Sequence, residues 1–190
     1  MQRLGSLYSA FEGESDLWTY LSYGPFSEAG EFADWLRQYE KKKDRVTYVI
    51  HSKALSQPAG VASYLRIDPD NGSIEIGGVV FSPRLQRTTA ATEVIFLLLR
   101  YVFDLGYRRC EWKCDALNAA SRSAAIRFGF SFEGIFRQSI VYKSRNRDTA
   151  WFSVTDREWG VLVKEYERWL SGDNFDAKGI QRTRLKTSSE

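Results

Sequence analysis

The sequence has a single histidine, His51, and only two cysteines, Cys110 and Cys114. No Cys or His cluster stands at metal-ligand spacing, which argues against a zinc site and leaves no metal expected. The two cysteines lie four apart on a predicted strand, about 13 Å from one another and too far for a disulfide, and both read as packing. No long apolar run follows a basic start and no stretch approaches a membrane span, so the expectation is a soluble, cytoplasmic protein without a secretory signal. The net charge is only +3, and the basic residues are dispersed rather than gathered in a stripe, which disfavours nucleic acid as the main ligand. No low-complexity block interrupts the 190 residues, of which 43% are apolar, so one domain with a sizeable core is expected.

What the chain does have is a βαβα order between residues 74 and 132. Ile74-Glu75-Ile76-Gly77-Gly78-Val79-Val80-Phe81 is β-branched and apolar, and Ser82-Pro83-Arg84 halts it, because proline cannot continue a ladder. The small, polar run Leu85–Glu93 leads into the apolar run Val94–Phe103, closing at Gly106. A helix that begins in such a turn carries unpartnered N–H groups and a positive dipole end, a setting for an anion such as a pyrophosphate. A plain strand-to-helix connection would use the same residues, and short motifs match by chance often.

Elsewhere, apolar spacing predicts short helices over Arg3–Phe11 and Asp16–Leu21, and a longer one over Glu28–Tyr39 with Ser27 as its cap. Strands follow at Val46–His51, Ala59–Ile67 and Ser73–Phe81, an antiparallel meander whose last two members are joined by Asp68-Pro69-Asp70-Asn71-Gly72. A strand is predicted over Arg108–Lys113, and Asn118 caps a helix ending at Gly129. Strands over Phe130–Tyr142 and Thr149–Val154 flank a polar turn at Lys143–Asp148, and a helix opens at Asp156. The domain is placed at residues 1–177, with a basic, disordered tail over 178–190.

These residues together resemble the GNAT superfamily of N-acetyltransferases, and most closely its RimJ/RimL-like branch, which acetylates ribosomal-protein N-termini. The resemblance runs from Trp18 to Trp169. It is carried in order by Glu75-Ile76-Gly77, the loop Gln86 to Ala91, Asn118-Ala119-Ala120-Ser121, Gly129-Phe130-Ser131-Phe132-Glu133-Gly134, Arg145-Asn146-Arg147-Asp148-Thr149 and Glu158-Trp159. It implies an α/β (α+β) fold: a single domain with a mixed, twisted sheet of about six strands flanked by helices. Family members begin with a strand before the first helix, whereas this chain starts at about that helix, so the first strand is expected to be absent.

The resemblance further implies acetyl-CoA as co-substrate and an amine acceptor, either a protein N-terminus or a small molecule; a homodimer is compatible with it. Backbone near Val79 and Phe81 would hold the pantetheine. Gln86, Arg87, Thr88, Thr89, Ala90 and Ala91 would hold the pyrophosphate, and Asn118 would bond the pantetheine. Ser121 would lie by the sulfur and Glu75 would act as base through water. Trp18, Tyr20 and Phe26 are candidate acceptor contacts. Read without the family, Glu75 is a solvent-facing strand carboxylate, Asn118 a cap, Ser121 a first-turn residue, and Trp18, Tyr20 and Phe26 core.

Two departures from the family pattern stand out in this sequence. Thr89 occupies the position of the loop's first glycine, and threonine does not take a positive φ cheaply, so helical dihedrals are expected there with the Thr88 and Thr89 hydroxyls as added phosphate donors. A tyrosine general acid that many family enzymes place seven residues after the asparagine is replaced by Ala125. Both leave open a non-catalytic acetyl-CoA-binding module on the same fold.

Overall fold

The computed structural model describes residues 2–187. Its helices are α1 (Gln2–Ser9), α2 (Ala29–Glu40), α3 (Thr89–Asp104), α4 (Ala119–Arg127) and α5 (Asp156–Leu170). Its strands are β1 (Arg45–Ser52), β2 (Gln57–Asp68), β3 (Ser73–Phe81), β4 (Arg109–Asp115), β5 (Ser131–Tyr142) and β6 (Arg145–Thr155). They form one mixed sheet in the order β1-β2-β3-β4-β6-β5. Among the described residues only β3 and β4 pair in parallel, joined by α3 as a crossover that buries the sheet face beneath it. Among the described residues the first element is α1, and β1 stands at the sheet edge with β2 as its one neighbour.

The long apolar run becomes α3 because Thr88 stops the chain in extended geometry (φ −93°, ψ 163°) and its Oγ1 accepts from the N–H of Ala91 at 3.2 Å. Ile95, Phe96, Leu99 and Val102 then recur on one side and pack with Ile76, Cys110, Phe152 and Val154 of the sheet. Each such side chain, fully buried, stabilises the fold by roughly 1.5–3 kcal/mol. A second cluster, Leu7, Phe11, Trp18, Phe32 and Leu36 with Val61 and Val80, seals α1 and α2 against the opposite face. Among the described residues no helix is long and apolar enough to cross a membrane.

Four local expectations are corrected. The segment predicted as a helix over Asp16–Leu21 is a 3-10 turn, Ser15–Trp18. Ser27 does not cap α2, since its N–H and hydroxyl both donate to Glu31, at 2.8 and 2.9 Å, and Glu28 takes the cap position. The turn between β5 and β6 is two residues rather than six: Lys143 and Ser144 both have positive φ, 47° and 58°, and Arg145–Asp148 continue the strand. This is the tight-hairpin geometry whose twist suits the flanking strands.

The fourth concerns the polar C-terminal segment, whose described part is folded. Asn174 is buried, its side chain donates to the Trp169 carbonyl and accepts from the Thr183 N–H, both at 3.0 Å, and the Lys186 N–H donates to Glu165. Composition marked the end of the segment as disordered because it does not show the partners that α5 supplies, Glu165, Arg168 and Trp169. Residues 188–190 of the expected tail lie outside the described residues.

Candidate active site

β3 and β4 run side by side for only three register pairs, Ser73–Arg109, Ile74–Cys110 and Glu75–Glu111. Beyond them β3 kinks away. Its register against β2 shifts between Val61 and Ser63, opposite Gly78 and Val79, and Gly78 adopts φ +58°. Glycine is required there twice over, for the left-handed backbone and because a Cβ would stand 2.8 Å from the Tyr39 Oη. The remainder of β3, Val79 to Phe81, pairs with β2 but has no β4 partner on the side of the gap.

A cavity of about 770 Å³ fills this gap. On one side stand Val79, Val80 and Phe81 of β3, then Gln86, Arg87, Thr88 and Thr89 of the loop and Ala91 and Thr92 of α3. On the other stand Trp112 of β4 and the α4 face made by Ala120, Ser121, Ala124, Arg127 and Phe128, with Asn118 at its head. Those α4 positions recur at helical spacing. Tyr20 closes one end, and Trp169, Phe175 and Gly179–Gln181 close the other.

The sequence-predicted residues divide accordingly. Val79, Phe81, Gln86, Arg87, Thr88, Thr89, Ala91, Asn118, Ser121 and Tyr20 all line the cavity, whereas Ala90, Trp18, Phe26 and Glu75 do not. Trp18 is 3% exposed and packs edge-on to Phe11 and Phe26; Trp18 is core and Phe26 is half-buried against it. Ala90 packs against the small Ala59–Leu85–Ala91 cluster. Ala125 belongs to the core face of α4, so the position where family enzymes carry tyrosine turns away from the cavity here.

Within the loop, Thr89 has the helical dihedrals expected of it, and the left-handed residue is one the sequence did not mark. Thr89 is the first helical residue of α3, and the positive φ, +60°, sits at Arg87. The Thr88 hydroxyl hydrogen is already committed to the Leu85 carbonyl at 2.6 Å, so it is not an added phosphate donor. Gln86 likewise spends one amide hydrogen on the Phe81 carbonyl. What remains for an anion is the first-turn N–H groups of α3, the Thr89 hydroxyl and the Arg87 side chain.

On α4, Asn118 caps the helix, its Oδ1 accepting from the Ser121 N–H at 3.0 Å, which leaves its amide NH2 for a ligand. The Ser121 hydroxyl accepts from the Trp112 Nε1 at 3.0 Å and also bonds the Cys114 thiol. Sequence reasoning passed over Trp112, although it alternates with Cys110 and Cys114 on β4 and must share their helix-facing side. Both thiols are buried and free, and burial pushes both upward in pKa.

Glu75 is not the solvent-facing carboxylate that its place between two isoleucines suggests. It is 7% exposed, on the sheet face opposite α3, with the Lys113 Nζ 3.0 Å away and Arg66 at 3.6 Å. Burial raises its pKa, and the Lys113 charge only partly opposes this. Its carboxylate lies beside Gly77, where β3 begins to leave β4: a Cβ at Gly77 would meet Glu75 Oε1 at 2.9 Å. The parting of the strands therefore has a lined cavity on one face and a buried carboxylate on the other.

A family model for the acetyltransferase (GNAT) domain matches residues 4–131. Among solved structures, a GCN5-related N-acetyltransferase from Brucella melitensis is 46% identical over 97% of this chain and 85% of its own, with TM-score 0.93. A probable GNAT-family acetyltransferase from Chromobacterium violaceum is 49% identical over 84% of this chain and 81% of its own, with TM-score 0.80. The Salmonella typhimurium acetyl transferase that modifies the N-terminal serine of ribosomal protein L7/L12 shares the fold, at 20% identity over 81% of this chain and 90% of its own and TM-score 0.69. No curated protein matches. Matches of this identity and coverage establish membership: the chain belongs to the GNAT family of acetyl-CoA-dependent acetyltransferases.

Proposed function

We propose that this enzyme passes the acetyl group of acetyl-CoA to a primary amine by direct attack within a ternary complex, as a RimJ/RimL-like enzyme acting on a protein N-terminus. The observation that carries the reading is the parting of β3 from β4, which lets donor and acceptor approach one another through the sheet from opposite faces. Bound acetyl-CoA supplies an activated acetyl thioester. Backbone of Val79–Phe81 and the Asn118 amide hold its arm, while the α3 N-terminus, Thr89 and Arg87 hold its phosphates. Glu75, raised in pKa, takes a proton from the amine through water, and Ser121 donates to the departing sulfur.

Two measurements test it. Acetyl-CoA at about 100 times its dissociation constant is expected to stabilise the fold by roughly 2.7 kcal/mol, seen as a concentration-dependent rise in Tm, and the absence of any rise sinks the donor assignment. Mass spectrometry after incubation with acetyl-CoA is expected to show peptide α-amino groups gaining acetyl faster than lysine side chains. The α-amino pKa is about 7.7–8.0 against about 10.4 for lysine, and one buried carboxylate is little help to the harder acceptor. Preferential lysine acetylation at equal concentration and pH refutes the acceptor class while leaving the donor site intact.

A further inference from the structure

The cavity runs on beyond the α3 N-terminus into a space between α3, α4 and the C-terminal segment, where Gly179, Ile180 and Gln181 face Thr92 and Arg127. We infer that the strap Phe175–Gln181 is a recognition element for the nucleotide end of acetyl-CoA, its 3′-phosphorylated adenosine diphosphate, acting with Arg127. The inference rests on acetyl-CoA as the donor. With the thioester arm in the strand gap and the pyrophosphate at α3, the adenosine falls in this remaining space.

The chemistry of the wall fits that occupant. Arg127 is fixed by a 3.0 Å bond to the Thr92 hydroxyl, and its guanidinium stands 5.4 Å from the ring centroids of both Phe128 and Trp169. Among the described residues no carboxylate pairs with it. An arginine held by aromatic rings and left without a counter-charge suits a phosphate. Ile180 is apolar yet 62% exposed at the cavity wall, with surface to lose against a planar base.

The strap is also built to hold a shape. Asp176 accepts from the N–H groups of Lys178 and Ile180, both at 2.8 Å. Phe175 and Gln181 bridge its two ends, Gln181 accepts from the Trp169 Nε1 at 2.9 Å, and Phe175 sits edge-on to that ring. All of this lies beyond the residues matched by the family model, 4–131.

The test uses the full chain, with Ile180→Glu, Ile180→Ala and Arg127→Gln, and two readouts. Calorimetric titration uses CoA and adenosine 3′,5′-bisphosphate, which carries only the nucleotide end. Kinetics compare acetyl-CoA with acetyl-pantetheine, which lacks it. In Ile180→Glu and Arg127→Gln the ratio of kcat/KM for acetyl-CoA to that for acetyl-pantetheine is expected to fall about tenfold, with a matching loss of bisphosphate affinity and a smaller loss in Ile180→Ala. Damage to the fold lowers both donors together and leaves the ratio unmoved. Wild-type binding of CoA with an unchanged ratio and unchanged bisphosphate affinity in all three variants overturns the strap's role alone. A wild-type protein that binds neither probe overturns the donor assignment beneath it.

Discussion

Lys113→Met is expected to lower folding stability by about 3 kcal/mol at pH 7, the cost of leaving buried charge without its partner. The Lys113 side chain is 7% exposed, and its ammonium lies 3.0 Å from Glu75, 2.5 Å from Glu111 and 3.7 Å from the centroid of the Trp151 ring. Arg109 continues the chain of charges from Glu111 to Glu133. Arg66, more than half exposed and 3.6 and 3.8 Å from the two carboxylates, can move in and keep the loss toward the lower end of the range. Equilibrium urea unfolding measures it.

The deficit has a defined pH dependence. Glu75 already has a pKa raised above its ordinary 4.5 by burial, and removing the lysine raises it further. A carboxylate with a raised folded pKa binds more protons in the folded than in the unfolded state, so stability falls as pH climbs from about 4.5 through the folded value. Lys113→Met should therefore lie furthest below wild type near neutrality and approach it toward pH 4–5. Adding Glu75→Gln removes one of the stranded charges, and the double variant should be less destabilised than the sum of the singles. Additive losses would mean that the three groups do not act as one unit.

The order of elements and the α4 cap were legible because each depends on residues close in sequence. Asn118 caps its helix as its position implies. What escaped the sequence reading depends on distant partners. Alternation puts Glu75 opposite Ile74 and Ile76, but it cannot show that Lys113 of β4 and Arg66 of β2 close over that side. The polar C-terminal segment reads as unstructured until Glu165, Arg168 and Trp169 of α5 supply its hydrogen bonds. Within the loop, Thr89 is helical as expected, but nothing in the sequence marked Arg87 as the residue that takes the left-handed conformation. Three aromatic candidates for acceptor contact looked alike in sequence, and only Tyr20 reaches the cavity.

Ser121→Ala is expected to lower kcat about tenfold to a hundredfold with little change in acetyl-CoA affinity, below the full range for a general acid because a serine hydroxyl is a weak one. The hydroxyl lines the cavity one helical turn from Asn118 and accepts from Trp112 Nε1. Removing it also strips the Trp112 N–H of its partner, so a drop in activity alone is ambiguous. Trp112→Phe resolves this, since it deletes the same hydrogen bond but keeps the hydroxyl. If Ser121 serves the sulfur, Trp112→Phe retains most of kcat while Ser121→Ala does not. If the two variants lose kcat equally, the bond and not the proton matters, and solvent protonates the thiolate. A rise in KM for acetyl-CoA at unchanged kcat would make Ser121 a binding contact. Glu75→Gln supplies the complementary measurement. Because burial holds its pKa above 4.5, the acid limb of the wild-type rate profile should lie above the ordinary carboxylate range. The glutamine variant should fall furthest behind wild type below neutral pH, where few acceptor amines are already unprotonated.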